Sequence, residues 1–254
     1  MERRRFLTGA AGGALMGLSG CKVLDGANKG GLHSLFASAN GLTYRTQRLL
    51  GGDALAPEFA AADIRQGQKP NGTINPEDAE YQALASAGFA EWRLQVIGAV
   101  ETPLSLTLAQ VQALPARTQI TRHDCVEGWS CIAKWTGVPL SRVLDMARPK
   151  AEARFVVFHC MDTIERSLSG LVKYYESIDL RDAVHAQTIL AYGLNDAPLP
   201  VANGAPLRVR VERQLGYKMA KYVHTIELVA GLEGYGDGNG SYWADRGYDW
   251  YAGI

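Results

Sequence analysis

Arg117-Thr-Gln-Ile-Thr-Arg-His-Asp-Cys-Val-Glu-Gly-Trp129 reads as a strand, Arg117 to Asp124, that ends at a lone thiol. Strand ends and their loops are where a rigid scaffold presents reactive groups. No second cysteine lies two or three positions from Cys125, so the spacing does not offer a zinc knuckle. Three readings of the thiol stand: a nucleophile, a redox sensor, or one terminal ligand to a metal held mostly by something other than protein.

Outward from that strand the pattern is compact and mixed. Trp92, Leu94 and Val96 alternate with polar neighbours as in a half-buried strand, and Gly98 punctuates it. Thr107 with Gln110 resembles a capping box opening a short helix through Leu114, which Pro115 stops. Val138 to Ala147 is predicted as a helix and Arg154 to Cys160 as a buried strand, with further strands over Gln187–Tyr192, Leu207–Val211 and Tyr222–Val229. Few helices are long. The expected class is α+β, a β-rich mixed core over residues 91–235 with short helices around it. The aromatic tail, 236–254, is expected to pack on that core or dock a partner.

Residues 22–90 show little periodicity. Gly26–Gly31 reads as a linker and Leu42–Leu50 as a short helix, while Asp53–Pro76 is rich in Pro, Gly, Asn and Asp. This extension is expected to wrap the domain behind it or to border a ligand. Residues 1–21 read as an export signal: Arg3-Arg-Arg-Phe-Leu7 has the order of a twin-arginine signal, and the apolar run after it is too short to span a bilayer. Leu18-Ser-Gly-Cys21 looks like a lipobox, which would make Cys21 a lipid anchor on a periplasmic or otherwise exported protein. That route carries folded proteins, typically enzymes loaded with a cofactor in the cytoplasm. Without Cys21, an odd set of thiols remains, Cys125, Cys131 and Cys160, and whether Cys131 and Cys160 pair is open.

The 254 residues are 47% hydrophobic and 20% charged, enough for a sizeable core. Lys+Arg and Asp+Glu both number 26, which argues against wholesale nucleic-acid binding and makes any positive site local. One such site lies between Arg208 and Lys221, where Arg208, Arg210, Arg213, Lys218 and Lys221 face the single acid Glu212. Gly204 and Gly216 permit close backbone approach there, and forked and point-charge donors suit phosphate oxygens. An anionic ligand group is the natural partner.

The segments Thr121–Trp135 (TRHDCVEGWSCIAKW), Ile189–Pro200 (ILAYGLNDAPLP), Asn203–Arg208 (NGAPLR) and Gly216–Lys221 (GYKMAK) resemble, in order, the molybdopterin-binding domain of the sulfite oxidase family. They are most similar to its exported, haem-free bacterial members, which include a periplasmic methionine sulfoxide reductase. The resemblance implies a molybdenum ion bound by the two dithiolene sulfurs of molybdopterin and by the thiolate of Cys125, with Arg122 and His123 favouring the thiolate. It also implies that Arg208, Lys221, Lys218 and the backbone at Gly216 hold the pterin phosphate and its polar edges. Asn203 stands where many members have His, and Asp162 matches an Asp that helps hold the pterin. Tyr192 matches a tyrosine pointing at the metal, its hydroxyl able to bond a substrate oxygen. His159 reads instead as a satisfied strand histidine.

Glu127 follows the thiol by two residues, as in the haem-free group, and a carboxylate there opposes an incoming sulfite anion. The implied reaction is two-electron oxygen-atom transfer on a small sulfoxide-like or sulfite-like substrate. The sequence holds no Cys-x-x-Cys-His haem motif, so electrons are exchanged with a separate membrane or soluble cytochrome. Two rival classes stay open: a thiol enzyme using Cys125 with His123, and an exported anion-binding module without redox chemistry.

Overall fold

The computed structural model describes residues 29–167 and 170–254; the expected export signal, the expected lipobox at Cys21 and the expected linker residues before Lys29 lie outside them. The chain forms two compact units, Met1–Leu50 and Gly51–Ile254. In the first, helix α1 (Lys29–Gly51) replaces the short helix expected over Leu42–Leu50. Gly30 and Gly31 do not prevent it, and the expected linker ends inside the helix. Among the described residues no helix is long and apolar enough to cross a membrane.

The second unit takes in residues 51–90 and the tail as well as the expected 91–235 core, so neither expected boundary is a break in it. Tyr81, on helix α2 (Ala79–Ser86), and Tyr242 in the tail are both buried in the main core, which accounts for their inclusion. The extension does wrap the domain: the Phe59 amide donates to Ile120 O at 2.9 Å and the Arg65 amide to Ile132 O at 3.0 Å.

Two five-stranded sheets build the unit. The first contains β1 (Arg93–Gly98), β2 (Leu104–Thr107), β5 (Phe155–Ser167), β6 (Gly170–Asp179) and β10 (Val223–Val229), in the order β2-β1-β10-β5-β6. Among the described residues its parallel pair is β1 with β10, and the other pairs are antiparallel. The second orders β3 (Arg117–Asp124), β4 (Ser130–Pro139), β7 (Ile189–Leu194) and β8 (Ala197–Pro198), with β9 (Arg208–Arg210) also on β7. Leu94 and Val96 point inward from β1 as their alternation requires, and each such fully buried side chain contributes about 1.5–3 kcal/mol. Helix α3 (Leu108–Ala113) opens on the expected reciprocal cap, Gln110 N donating to Thr107 Oγ1 at 3.0 Å and Thr107 N to Gln110 Oε1 at 2.8 Å.

Two expected elements differ. The helix expected from Val138 begins at Leu140 (α4, Leu140–Ala147), because Val138 and Pro139 finish β4 by pairing with Leu190 and Ile189. The strand expected to end at Cys160 continues to Ser167, paired with β6. Cys131 on β4 and Cys160 on β5 belong to different sheets and are both free thiols, so they do not pair.

Candidate active site

The hairpin between β3 and β4 places the thiol. The Cys125 amide donates to Trp129 O at 2.9 Å and the Gly128 amide to Cys125 O at 3.0 Å, closing a tight turn that Gly128 completes in the left-handed region at φ 82°. Backbone N–H groups of Glu127 and Val126 are directed at the sulfur. Burial nevertheless pushes the thiol pKa up. The expectation that Arg122 and His123 favour the thiolate fails for two reasons. Arg122 lies on the exposed side of β3, its Nε 2.8 Å from an Asp124 carboxylate oxygen. His123 is buried, and burial first, then the neighbouring Arg210, Arg208 and Lys221, hold its pKa well below the ordinary imidazole value, so it is neutral.

The neutral ring has an assigned tautomer. Arg210 Nη1 donates to His123 Nδ1 at 3.0 Å, which leaves the proton on Nε2. That Nε2 is buried with no partner. It lies against Gly216, where a Cβ would fall 2.3 Å from it; only glycine fits. A ring whose Nε2 already carries a proton is not placed to take one from Cys125, so the arrangement does not favour the thiol-enzyme reading.

Cys125, Val126 and Glu127 line a cleft with Asp162 and Ile164 of β5, Tyr174 of β6, Gly216, Tyr217, Met219 and Lys221, the loop residues Asn71, Gly72 and Thr73, and Trp243 and Tyr248 of the tail. Its floor is buried and cationic. Lys221 Nζ donates to Ala202 O at 2.9 Å and to Thr73 O, and burial and Arg208 lower its pKa to about 7. Asp162 accepts from the Thr73 side chain, its pKa is raised by burial, and its Oδ1 has no partner. Behind them Arg208 and Arg210 lie over Trp135, at 5.0 and 4.4 Å from the ring centroid. Arg210 is paired with Glu212 at 2.6 Å. Arg208 donates to Asn203 O and Met219 O, keeps an unpartnered Nε, and is lowered by burial and by Arg210 to about 9.

Of the residues singled out in the sequence, the cleft gathers Cys125, Glu127, Asp162, Gly216 and Lys221, with His123 behind Gly216. Arg208 stands behind Lys221, the two separated by Gly204, where a Cβ would meet Lys221 at 2.9 Å and Arg208 at 3.2 Å. Asn203 is buried, offering its carbonyl to Arg208, and does not line the cleft. Lys218 is committed to Glu176 in a fully buried pair. Tyr192, half-buried on β7, packs against the main core outside the cleft lining. Arg122 faces solvent. His159 bonds Glu227 at 2.9 Å, the satisfied state expected of it. Sequence reasoning missed Trp135 as the shared platform, Arg210 as the group fixing His123, and Thr73, Trp243 and Tyr248 as cleft walls. The alternation of Arg208 and Arg210 was the local signal for Arg210.

These residues fit an anionic cofactor. A free Nε2–H donor, an unpartnered guanidinium nitrogen, a lysine depressed to about 7 and a glycine-lined approach converge behind a soft thiol donor, which is what a dithiolene-bound metal and its phosphate tail require. Among the described residues no group of three His, Cys, Asp or Glu side chains is placed to hold a metal by itself.

A provisionally named protein-methionine-sulfoxide reductase subunit, YedZ1, of Azospira oryzae is 37% identical over 176 residues, 69% of this chain and 60% of its own length. The protein-methionine-sulfoxide reductase catalytic subunit MsrP of Xanthomonas campestris pv. campestris is 36% identical over 156 residues, 58% of this chain and 48% of its own. The chain thus spans about half of the relatives it matches. A solved structure of the sulfane dehydrogenase SoxCD from Paracoccus pantotrophus overlays 57% of this chain and 40% of its own at 22% identity and a TM-score of 0.49. Residues 82–233 match the oxidoreductase molybdopterin binding domain family, so the chain belongs to that family: it is a sulfite-oxidase-type oxidoreductase whose cofactor is molybdenum on molybdopterin.

Proposed function

We propose that the chain is the catalytic component of an exported enzyme that removes the oxygen atom from a sulfoxide, with methionine sulfoxide the side chain whose chemistry fits best. The observation carrying this reading is the pairing, in one cleft, of the Cys125 thiol with the exposed carboxylate Glu127 at one end and with the buried Lys221, backed by Arg208, at the other. The buried end accommodates the anionic cofactor, and the carboxylate disfavours an anionic substrate such as sulfite. The names of the relatives from Azospira and Xanthomonas support the sulfoxide assignment.

Bound there, the cofactor supplies oxygen-atom transfer and two-electron redox chemistry. The chain supplies the rest. Cys125 donates the protein thiolate, whose proton leaves on coordination. Lys221 and Asp162 in the lining, with Arg208 and the His123 Nε2–H behind them, would hold the pterin and its phosphate. In balance, the sulfoxide S=O bond breaks, two electrons and two protons are consumed, and thioether and water leave. The electrons arrive singly from a haem-protein donor on the membrane or in solution.

Metal analysis of protein matured with ample molybdate, coupled to assays with a reduced viologen dye for sulfoxides and with ferricyanide for sulfite, tests the proposal. About one molybdenum per chain with faster turnover of sulfoxide is expected. Faster sulfite oxidation than sulfoxide reduction would overturn it.

A further inference from the structure

We infer that the C-terminal tail is the specificity element of the active site: Trp243 and Tyr248 form an aromatic wall that selects an uncharged sulfoxide carried on an apolar stem. This deepens the sulfoxide reading and rests on it. Both residues lie beyond residue 233, where the family match ends, yet both line the cleft that holds Cys125. The shared domain therefore brings the thiol and the cofactor-binding cations, while a segment outside it shapes where the substrate enters.

The wall is held at several points. Trp243 meets Tyr248 at 5.1 Å and Tyr242 at 5.1 Å between ring centroids, and Tyr248 meets Tyr217 at 5.4 Å. The Tyr248 amide donates to Trp243 O at 3.1 Å, and Tyr217 Oη donates to Asp249 O at 2.7 Å. Tyr242 is buried in the main core, with the Arg246 guanidinium over its ring at 3.6 Å and Arg246 paired to Glu165. A tail fixed in this way does not collapse onto the cleft, and its rings stay presented.

Exposure sets the direction of the cleft. Asp162, Met219 and Lys221 are buried, whereas Val126 is 48% and Tyr248 38% exposed and Trp243 is half-buried, so the aromatic pair belongs to the mouth. The lining cation, Lys221, is at the buried end and already donates to two carbonyls. Lys69 stands over Trp129, outside the lining, and Glu127 is the charged group of the mouth itself. An oxyanion entering there meets a carboxylate and ring faces that carry negative quadrupole charge. The methylene stem of an uncharged sulfoxide side chain meets polarizable ring surface there instead of a like charge.

The test uses molybdenum-loaded enzyme. Trp243→Ala and Tyr248→Ala are expected to raise the KM for N-acetylmethionine sulfoxide about three- to tenfold, with a smaller change in kcat. Molybdenum per chain should stay at the wild-type level, the KM for dimethyl sulfoxide, which has no stem, should rise less, and Trp243→Phe and Tyr248→Phe should restore most of the affinity. An unchanged KM in both alanine variants at full molybdenum content overturns the inference, and so does a loss that follows molybdenum content or folded fraction. Titration of tryptophan fluorescence with N-acetylmethionine sulfoxide, in wild type and Trp243→Phe, reads the wall without turnover. If loaded wild type reduces no sulfoxide, the functional proposal falls; a Trp243-dependent fluorescence change would still uphold the wall, and its absence would remove it.

Discussion

The buried end of the cleft and its mouth are built by opposite means. At the buried end Arg208 and Arg210 lie over Trp135 with Lys221 beside Arg208, and burial first, then repulsion from the neighbouring guanidinium, depresses Arg208 to about 9 and Lys221 to about 7. At the mouth the walls are rings, held by contacts with each other and with the core. The first arrangement is under electrostatic load until an anion arrives; the second carries none. Cofactor affinity should therefore be concentrated in a few charged groups, while substrate preference is spread over apolar area that tolerates substitution.

The largest effect expected belongs to the thiol between the two ends. Cys125→Ser should lower turnover by on the order of 10²-fold or more, since changing even the partners of a metal ligand costs about 10–100-fold. The pterin should remain partly bound through the cationic end. Wild-type turnover at full molybdenum content would remove Cys125 from the ligand role.

Next comes the fold beneath the cationic end. Arg210 and Glu212 are paired with both side chains fully buried, and Gln119 Nε2 donates to the same carboxylate at 2.8 Å. Arg210→Met strands that carboxylate, and urea denaturation should show a loss of about 3–5 kcal/mol, most of it recovered when Glu212→Leu is added. Equal stability of Arg210→Met and wild type would mean that the load is relieved some other way.

Lys221 gives a smaller effect with a sign that can be checked. Charge removal in Lys221→Met should weaken cofactor retention by about 1.5–3 kcal/mol, the value of one charge-assisted hydrogen bond, and Arg208→Ala should do the same with added instability. In cofactor-free protein, folded Lys221 releases its proton near pH 7 while the unfolded chain holds it to 10.5. Unfolding between those values takes up a proton, so stability rises with pH. Buried thiols and tyrosines with raised pKa values act oppositely from about pH 9, which confines the window to roughly pH 7–8.5. Denaturation midpoints should climb across it in wild type and stay flatter in Lys221→Met.

What the sequence disclosed follows from how local each signal is. Strand β3 and the capped helix α3 were legible because alternation and the Thr107–Gln110 box are complete within a few residues. Strand β6 was not, since Glu176 interrupts its apolar pattern and is explained chiefly by the buried Lys218, 42 positions away. Helix α1 starts at Lys29 through two glycines, which argue locally against a helix. In the site, the thiol turn, Gly216 and Lys221 were found from residue type and order. The stacking of two guanidiniums on one indole, and the entry of Thr73 and Trp243 into the cleft, depend on segments that meet only in the folded chain.

Tyr192 separates motif from geometry, and it carries the smallest expected effect. Its place in the Leu190–Leu194 segment suggests a hydroxyl at the metal, but on β7 it packs beside the main core and outside the cleft lining, with its pKa raised by burial alone. A hydroxyl outside the cleft lining would contribute to kcat only through packing, which phenylalanine preserves. Tyr192→Phe should therefore retain molybdenum and change kcat by less than about twofold, within the range of a lost exposed hydrogen bond. A tenfold fall in kcat at full molybdenum content would mean that cofactor binding draws β7 toward the cleft, and the division between a loaded buried end and an unloaded mouth would then have to include a third, mobile wall.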